Sequence, residues 1–421
     1  MRIWLLLAAL TAYGQQTLTL SEAEVIAVRN HPRLASARLA ADAAREGPKQ
    51  LRGRLAPELT ANVTGVVANS GSQIGAAGVL QAPTVFSRAS GGFALNQMIW
   101  DFGRIKALTA SAEARASALG ESATAIRGEV LLRVRETYFR LLLAQMQVRV
   151  LHENVDARKL TYRQIGALAQ SNLRSTLDVS FAELNVAEAE LQLARAESDV
   201  RAGEVEFSAA LGYSDSRQFT LADPGEPNTP LSATADELIT GALGGRAELA
   251  SLRQQVRAAK QFAESERRQS LPTLSASAAL GLNPLRDELV RQRYGAAGVS
   301  LNIPILNGGQ FASRRAEAEL RAQAAEQDLR DMEVRISRDV RNAWVEADNA
   351  RQRLELTTKV LEQARKTLRL AQTRYDLGLG TIVELSAAQL SQTTAEVGSG
   401  LARYDYLLRR SSLDFQLGNL R

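Results

Sequence analysis

Two hydrophobic periods run through this chain, and they predict two kinds of element. Val340, Ala347, Leu354, Leu361, Leu368 and Tyr375 recur every seven residues, and Ile336, Ala343, Ala350, Thr357, Ala364, Ala371 and Gly378 form a companion row. The same spacing, 206 residues earlier, gives Val134, Leu141, Val148, Val155 and Tyr162. A heptad pattern of this kind is a coiled-coil seam, and alanine in one row permits close helix approach. Read as one helix, Gly309 to Leu377 extends roughly 100 Å at about 1.5 Å per residue. No compact core needs a helix of that length.

Elsewhere the period is two. Leu59, Ala61, Val63, Gly65 and Val67 alternate with Thr60, Asn62 and Thr64. Val299, Leu301, Ile303 and Ile305 alternate with Ser300 and Asn302. Phe93, Leu95 and Ile99, and the run Leu274, Ala276, Ala278, Leu280 and Leu282, follow the pattern more loosely. The predicted strands cover about 58–67, 88–99, 273–282 and 295–305. Each is about ten residues, the length a tilted membrane strand requires. A soluble sheet with one wet face would alternate in the same way. Four strands are too few to close a barrel, and an open sheet edge cannot face lipid. Membrane strands here therefore need strands from other chains.

The chain also repeats itself. Leu34, Ala35, Ser36, Pro57, Leu59 and Ala61 match Leu249, Ala250, Ser251, Pro272, Leu274 and Ala276 at an offset of 215. Further on, Leu95, Asn96, Ile99, Gly103, Arg135, Leu211 and Gly212 match Leu301, Asn302, Ile305, Gly309, Arg341, Leu417 and Gly418 at an offset of 206. One deletion of nine residues accounts for the change, so the two halves descend from a duplication. Each half has the order short helix, helix, strand, loop, strand, very long helix, helix. Ser21 and Asp236, each followed by Glu, are the expected caps of the short helices. Pro32 opens a helix at its first turn, and Pro57 and Pro272 mark the change from helix to strand. The expected divisions are a signal peptide over 1–14, a first repeat over 15–212, a connector over 213–233 and a second repeat over 234–421. The connector carries Pro224, Pro227 and Pro230; it reads as a flexible linker or as a small element packed on the helices.

Composition narrows the chemistry. Cysteine is absent and only His31 and His152 represent histidine, which excludes disulfides, Cys-ligated metals and thiol nucleophiles. No cofactor is expected. The net charge of +5 is spread among interleaved acidic residues, unlike the concentrated basic face that nucleic acid demands. A phosphate loop, a nucleophile elbow and a metal-ligand spacing are all missing from the sequence, so an enzyme is not expected. Arg2, the apolar run Ile3 to Leu10 and the small residues Ala12 and Gly14 form the signal pattern. After it, no stretch of about eighteen consecutive apolar residues occurs, so entry into a membrane has to be made by strands.

With this plan in view, local sequence carries a resemblance. Asn30-His31-Pro32, Asn307-Gly308-Gly309, and Arg374-Tyr375-Asp376-Leu377-Gly378 followed by Thr381-Ile382-Val383-Glu384 stand in this order on the duplicated frame. Together they resemble the TolC-like outer membrane efflux protein family over nearly all of the chain after the signal. The resemblance implies a mainly α protein with a membrane β-barrel portion: a homotrimer whose four strands per chain make a twelve-stranded barrel, with its long helices forming an α-barrel through the periplasm. It implies residence in the outer membrane of a double-membraned bacterium, in contact with outer-membrane lipid. It also implies a periplasmic adaptor and an inner-membrane transporter as partners, and expulsion of substrates without chemistry.

The same resemblance implies a gate at the helix tips. Tyr375 matches the family's gate tyrosine, Glu384 an acidic position of the closing ring, and Asp178 the equivalent acid of the first half. Tyr375 reads equally as the last core residue of its heptad row, and the two acids as solvated residues at helix ends. Gly380 stands where the family prototype has the gate arginine, Ala387 where it has a second aspartate, and Leu177 replaces a polar partner. Leu377, Gly378, Leu379, Gly380 and Thr381 form the tip expected to meet the adaptor. Several copies of Asp178 and Glu384 around a narrow mouth would attract cations. Trp100 and Phe102, directly after the second strand, suit an aromatic belt at the lipid interface, or a plug in a soluble core. His152 has no partner expected at helical spacing, and His31 reads as a turn residue. The rival readings are a periplasmic adaptor, which usually has one such hairpin rather than two, and a coiled-coil scaffold, which leaves the strands unexplained.

Overall fold

Threonines two residues upstream of the expected caps start the short helices. In the computed structural model, which describes residues 17–69, 87–171, 175–225, 234–286, 288 and 291–420, Thr19 caps α1 (Leu20–Asn30) and Thr234 caps α5 (Ala235–Gly245). Each forms a capping box: Thr19 N–H donates to Glu22 Oε2 at 2.8 Å and Thr234 N–H to Glu237 Oε2 at 3.1 Å. Ser21 and Asp236 thus already lie inside the first turn. The reciprocal bond needs the acid at the third position after the cap, and Thr19 with Glu22 and Thr234 with Glu237 make it. The signal segment 1–14 lies outside the described residues.

Helix α2 (Pro32–Gly53) begins at Pro32, and β1 (Glu58–Val66) follows Pro57. Then come β2 (Arg88–Trp100), α3 (Arg104–Gln170) and α4 (Thr176–Ala210). The second half repeats this order with α5, α6 (Ala247–Arg267), a 3₁₀ turn over Arg268–Ser270, β3 (Thr273–Arg286), β4 (Arg293–Asn302), α7 (Gln310–Asp376) and α8 (Ile382–Gln416). Both α3 and α7 have 67 residues and both α4 and α8 have 35. No described helix is long and apolar enough to cross a membrane.

The strands differ from expectation at their ends. β3 runs four residues further, to Arg286, through a register shift opposite β2. Asn283, buried there, donates its side-chain N–H to Arg291 O at 2.8 Å and its backbone N–H to Gln292 O at 2.7 Å, closing the β3–β4 end. β4 is shifted: it starts at Arg293 and stops at Asn302, so Ile303 and Ile305, inside the expected strand 295–305, lie beyond the observed one. Pro304 has no N–H to give a ladder.

Two compact units contain these elements. Unit 1 comprises Met1–Arg38, Ser122–Glu248 and Met332–Arg421, and unit 2 comprises Leu39–Glu121 and Leu249–Asp331. Unit 2 holds the sheet, four antiparallel strands in the order β1-β2-β3-β4. Its helical core is built largely from small side chains such as Ala107, Ala114, Ala118, Ala258, Ala318 and Ala322. Ser111 and Ser251 donate to the carbonyls of Ala258 and Ala118, both at 2.8 Å, so even the buried hydroxyls serve close helix approach.

Unit 1 contains the heptad seams. Val134, Leu141, Val155, Ile336, Val340, Ala343, Ala347, Ala350 and Ala364 are all buried, as the period-seven rows predict. α3 pairs with α4 through Arg133–Glu206 and Lys159–Glu190, and α7 with α8 through Arg409–Glu346, Arg353–Asp405 and Arg365–Glu396. One core cluster packs Tyr138, Phe139, Phe207, Leu211 and Tyr404 together. The connector joins this core from 213 to 225. Leu221 is buried, Phe219 stacks edge-on against Phe207 with 4.9 Å between ring centroids, and Leu18 N–H donates to Thr220 O at 2.8 Å. Tyr138 Oη donates to Ala222 O at 2.6 Å. Burial raises the Tyr138 hydroxyl to about 12. This stretch is a packed element rather than a linker; residues 226–233 lie outside the described part.

Candidate functional site: a two-faced sheet and the hairpin ends

The register of the sheet sorts its side chains by chemistry. Directly opposed residues share a face. Leu59, Leu95, Ala278 and Ala297 form one row across all four strands, and Ala61, Phe93, Leu280 and Gly295 the next. Ala276 faces Val299 and Leu274 faces Leu301 on the same side. The other side carries Thr60, Asn62, Thr64, Ser90, Asn96, Ser275, Ser277, Ser300 and Asn302. Among the described residues nothing covers the apolar face: Val63 is 91% exposed, Val299 67% and Leu280 61%. On the polar face Tyr294 lies across Gly92 and Gly281, where an added Cβ would overlap its hydroxyl. A large aromatic thus takes the room that two opposed glycines leave.

At the base of β2, Trp100 and Phe102 meet edge-on at 6.0 Å between ring centroids, and both are exposed. Asp101 between them is buried and caps α3, accepting from Gly103 N–H at 3.0 Å and Ile105 N–H at 2.5 Å. Phe102 adopts φ +53°, and its counterpart in the second half, Gly308, adopts φ +61°. A bulky residue in the left-handed region is strained, by about 1–2 kcal/mol. The duplication shows that glycine fits this position, so the aromatic is present against local backbone preference.

The hairpin ends lie in unit 1. α7 ends in a Schellman turn: Gly378 has φ +73°, Leu379 N–H donates to Arg374 O at 2.8 Å and Gly378 N–H to Tyr375 O at 3.0 Å. Arg374 Nη2 donates to Leu379 O at 3.2 Å and tightens the loop. Leu377 and Leu379 are each 68% exposed. Thr381 caps α8, and its N–H donates to Glu384 Oε2 at 3.4 Å, while Glu384 N–H donates to Thr381 Oγ1 at 3.1 Å. Ser175 and Asp178 make the corresponding box at α4, with Ser175 N–H donating to Asp178 Oδ2 at 3.3 Å. Both acids are therefore helix-capping groups in the protomer. Tyr375 is buried among Ile165, Ala182, Ile382 and Leu385, with Val179 against the same cluster. Gly380 brings Tyr375 and Glu384 together: a Cβ there would lie 3.2 Å from Glu384 Oε2 and 3.3 Å from Tyr375 N. Asp178 sits one residue before Val179, on the helix that closes the cluster from the first hairpin.

Above these ends runs a buried polar seam that sequence reasoning missed. Arg158, 6% exposed, donates through Nη1 to Asn185 Oδ1 at 2.9 Å and through Nε to Asn154 Oδ1 at 3.3 Å. Asn185 Nδ2 donates to Ser386 Oγ at 3.4 Å, and Thr393 Oγ1 to Asn154 Oδ1 at 3.2 Å, so the network ties α3 and α4 to α8. Burial lowers the Arg158 pKa, and Glu188 opposes the shift. The signal was in the repeat: Arg158 stands 206 residues before Ala364, in the alanine row. His152, expected to be alone, places Nδ1 3.2 Å from Asp156 Oδ2, one helical turn on. His31 caps the end of α1 and its Nδ1 accepts from Arg33 N–H at 3.3 Å.

Antiparallel helical hairpins in one unit and, in the other, a sheet with one bare apolar face among the described residues define a membrane protein that enters the bilayer by strands. Comparison with known proteins agrees. The family model described as Outer membrane efflux protein matches residues 25–213 and 238–419. The chain belongs to the outer membrane efflux protein family, TolC-like proteins of the outer membrane that extend into the periplasm. It is 30% identical over 311 residues to the alkaline protease secretion protein AprF of Pseudomonas aeruginosa, an alignment covering 69% of this chain and 62% of AprF. The chain thus spans less than two thirds of that relative. With the outer membrane protein TolC of Escherichia coli it shares 23% identity over 417 residues, 93% of this chain and 80% of TolC. The crystal structure of CusC superposes with a TM-score of 0.79 at 18% identity, covering 95% of this chain and 92% of CusC, and that of Campylobacter jejuni CmeC with 0.79 at 17%, covering 95% and 85%.

Proposed function

We propose that the chain is one subunit of a homotrimeric export duct whose wall is completed by its neighbours. The observation that carries this reading is the sheet: it is apolar on one face and polar on the other, and it ends in β1 and β4, neither of which has an outer strand partner among the described residues. Free edges cannot stand in lipid. Three copies supply twelve strands, with β1 of one subunit against β4 of the next, the apolar face toward lipid and the polar face toward water. Trp100 and Phe102 then lie at the lipid interface, where aromatic rings with one wet side are favoured.

The helices support the same closure. Leu177, Leu184, Leu191 and Val205 lie on one heptad-spaced row of α4, and each is at least half exposed. Leu356, Val360 and Leu370 of α7 are similarly bare. In a ring of subunits these rows cover one another. The hairpin ends form the periplasmic aperture, with Tyr375, Asp178 and Glu384 at the gate. The exposed turn Leu377, Gly378, Leu379, Gly380 and Thr381 offers apolar side chains to a periplasmic adaptor joined to an inner-membrane transporter. The duct itself performs no chemistry, and the transporter supplies the energy. The likeness to AprF, named for protease secretion, favours exported protein as one cargo beside small molecules.

Six carboxylates from three copies of Asp178 and Glu384 make the aperture attract cations. Planar-bilayer recordings test this: the wild-type channel passes cations in preference to anions and is blocked by divalent cations. The double variant Asp178→Ala/Glu384→Ala reduces both effects. Anion preference in the wild type, unchanged in the double variant, would remove these residues from the aperture.

A further inference from the structure

Charge is sparse in the sheet and gathers at one end of it. The four strands carry four charged residues. Glu58 opens β1 at the end that follows α2; Arg88, Arg286 and Arg293 lie at the opposite end, where β2 and β4 begin and β3 stops. Between them the polar face carries no charge. The register makes two of the arginines neighbours: Arg88 stands directly opposite Arg286, with Val66 of β1 on its other side. Directly opposed side chains have Cβ atoms about 5 Å apart, and like charges so placed destabilise the pair. An irregularity in the ladder creates this arrangement. Gly91 pairs with Leu282 and Ala89 with Leu285, so one extra residue of β3 turns Leu285 to the apolar side and brings Arg286, rather than Leu285, opposite Arg88. Duplication does not account for the pair, because the matching residues of the other half are Tyr294 for Arg88, at an offset of 206, and Gly71 for Arg286, at 215.

Among the described residues neither arginine forms an ion pair or a side-chain hydrogen bond, and Glu288, two residues beyond Arg286, forms none with them. Both border an open cavity of about 470 Å³, whose wall also includes Val66, Val67, Ser87 and Leu285 and no acidic residue. The rim is fixed just beyond the pair: Ser87 Oγ donates to Ala68 O at 3.0 Å and accepts from Ala68 N–H at 3.0 Å. Arg293 stands at the same end on the apolar side, opposite Leu282. A like-charged pair held face to face, against the preference of the ladder and beside an open space, calls for an anion from outside the chain.

We propose that Arg88 and Arg286 form a binding site for a phosphate monoester. Two guanidinium forks match the nearly two negative charges and the acceptor oxygens of that group. A single carboxylate would leave one arginine uncompensated. The rest of the cavity is walled mainly by aliphatic side chains, so the body of the ligand is neutral or apolar. That this end of the sheet faces the exterior rests on the duct reading; the site itself does not. Arg293, on the face turned to lipid, favours a phosphorylated lipid headgroup over a soluble ester as the source.

Calorimetric titration of the purified full chain in an uncharged detergent tests the site with two probes, glycerol 3-phosphate and a short-chain phosphatidic acid. The wild type binds both, the lipid more tightly. Arg88→Gln and Arg286→Gln each weaken both at least about ten-fold, the factor that losing one charge-assisted hydrogen bond implies. Arg293→Gln weakens the lipid alone. Unchanged binding in Arg88→Gln and Arg286→Gln overturns the site; equal affinity for the two probes, indifferent to Arg293→Gln, overturns the lipid source. Asp287→Asn leaves binding within about two-fold, and a gain of about ten-fold or more would make Asp287 the counter-ion of the pair and overturn the site. Thermal unfolding separates ligation from packing. Without phosphate, Arg286→Gln unfolds no lower than wild type, because the opposed charge is gone. Glycerol 3-phosphate then raises the unfolding temperature of the wild type alone. A variant less stable without ligand would give Arg286 a packing role and overturn the site. A chain that proves monomeric defeats the duct reading, and the titrations still decide the site.

Discussion

Arg158 shows how one side chain departs from the seam around it. A guanidinium 6% exposed, whose side-chain hydrogen bonds go to neutral amides while Glu188 acts on it through charge alone, depends on every acceptor it has. Removing an acceptor strands the charge, whereas removing the charge itself leaves an apolar space. Asn185→Leu should therefore lower stability by about 3 kcal/mol, and Arg158→Met by less than about 1 kcal/mol. Thermal unfolding of the detergent-solubilised variants checks the order; a larger loss in Arg158→Met would mean that the network stabilises the fold outright. Phe102 is the converse case, a residue whose backbone is strained for the sake of its ring. Phe102→Gly relieves a left-handed φ and removes one of two exposed aromatics. The expected outcome is equal or higher thermal stability in detergent together with weaker retention in lipid vesicles, measured by flotation. Lower stability in detergent would place the ring in a packing role instead.

At the scale of elements, caps and stops carry the design. Four capping boxes, Thr19–Glu22, Ser175–Asp178, Thr234–Glu237 and Thr381–Glu384, open α1, α4, α5 and α8. Thr381→Ala should destabilise unit 1 by about 1 kcal/mol, and Thr381→Ser by much less. The connector is held by charge. Burial works against the Asp223 carboxylate, but the Gly225 N–H, Arg403 and Tyr404 outweigh it and hold its pKa below the ordinary value. A depressed folded pKa contributes stability above the unfolded value, about 3.9, and loses it as pH falls through the folded value. Limited proteolysis with an acid-active protease should find the connector protected above the ordinary carboxylate value of about 3.9 and increasingly cut as pH falls below it. In Asp223→Asn the step should vanish.

These elements also mark what was legible in sequence. The heptad rows located both long helices and their buried faces, because a single period held for many turns. Pro57 and Pro272 located the starts of β1 and β3. The expected caps differ from the observed ones because Ser21 and Asp236 are good cap types that lie two residues after Thr19 and Thr234. The end of β4 was misplaced because Ile303 and Ile305 continue the alternation past Pro304, which stops the ladder. The polar seam went unseen because Arg158, Asn185 and Ser386 come together only in three dimensions, although a comparison of the two halves singles out Arg158 against Ala364. Tyr375, Asp178 and Glu384 were readable as a group at the helix ends; that both acids cap their own helices was not drawn from the sequence.

At the scale of the molecule, uncovered surface is what sets the assembly. The chain presents an apolar sheet face, two strand edges and apolar rows on α4 and α7, and none of these is covered among the described residues. The sheet face calls for lipid, while the edges and rows call for further copies. Native mass spectrometry of the protein extracted from outer membranes in mild detergent measures the copy number directly. A complex of three 45.6 kDa chains, each lighter by its signal segment and separating only on heating, is the outcome predicted here. A protein released without detergent that flies as a single chain would contradict it.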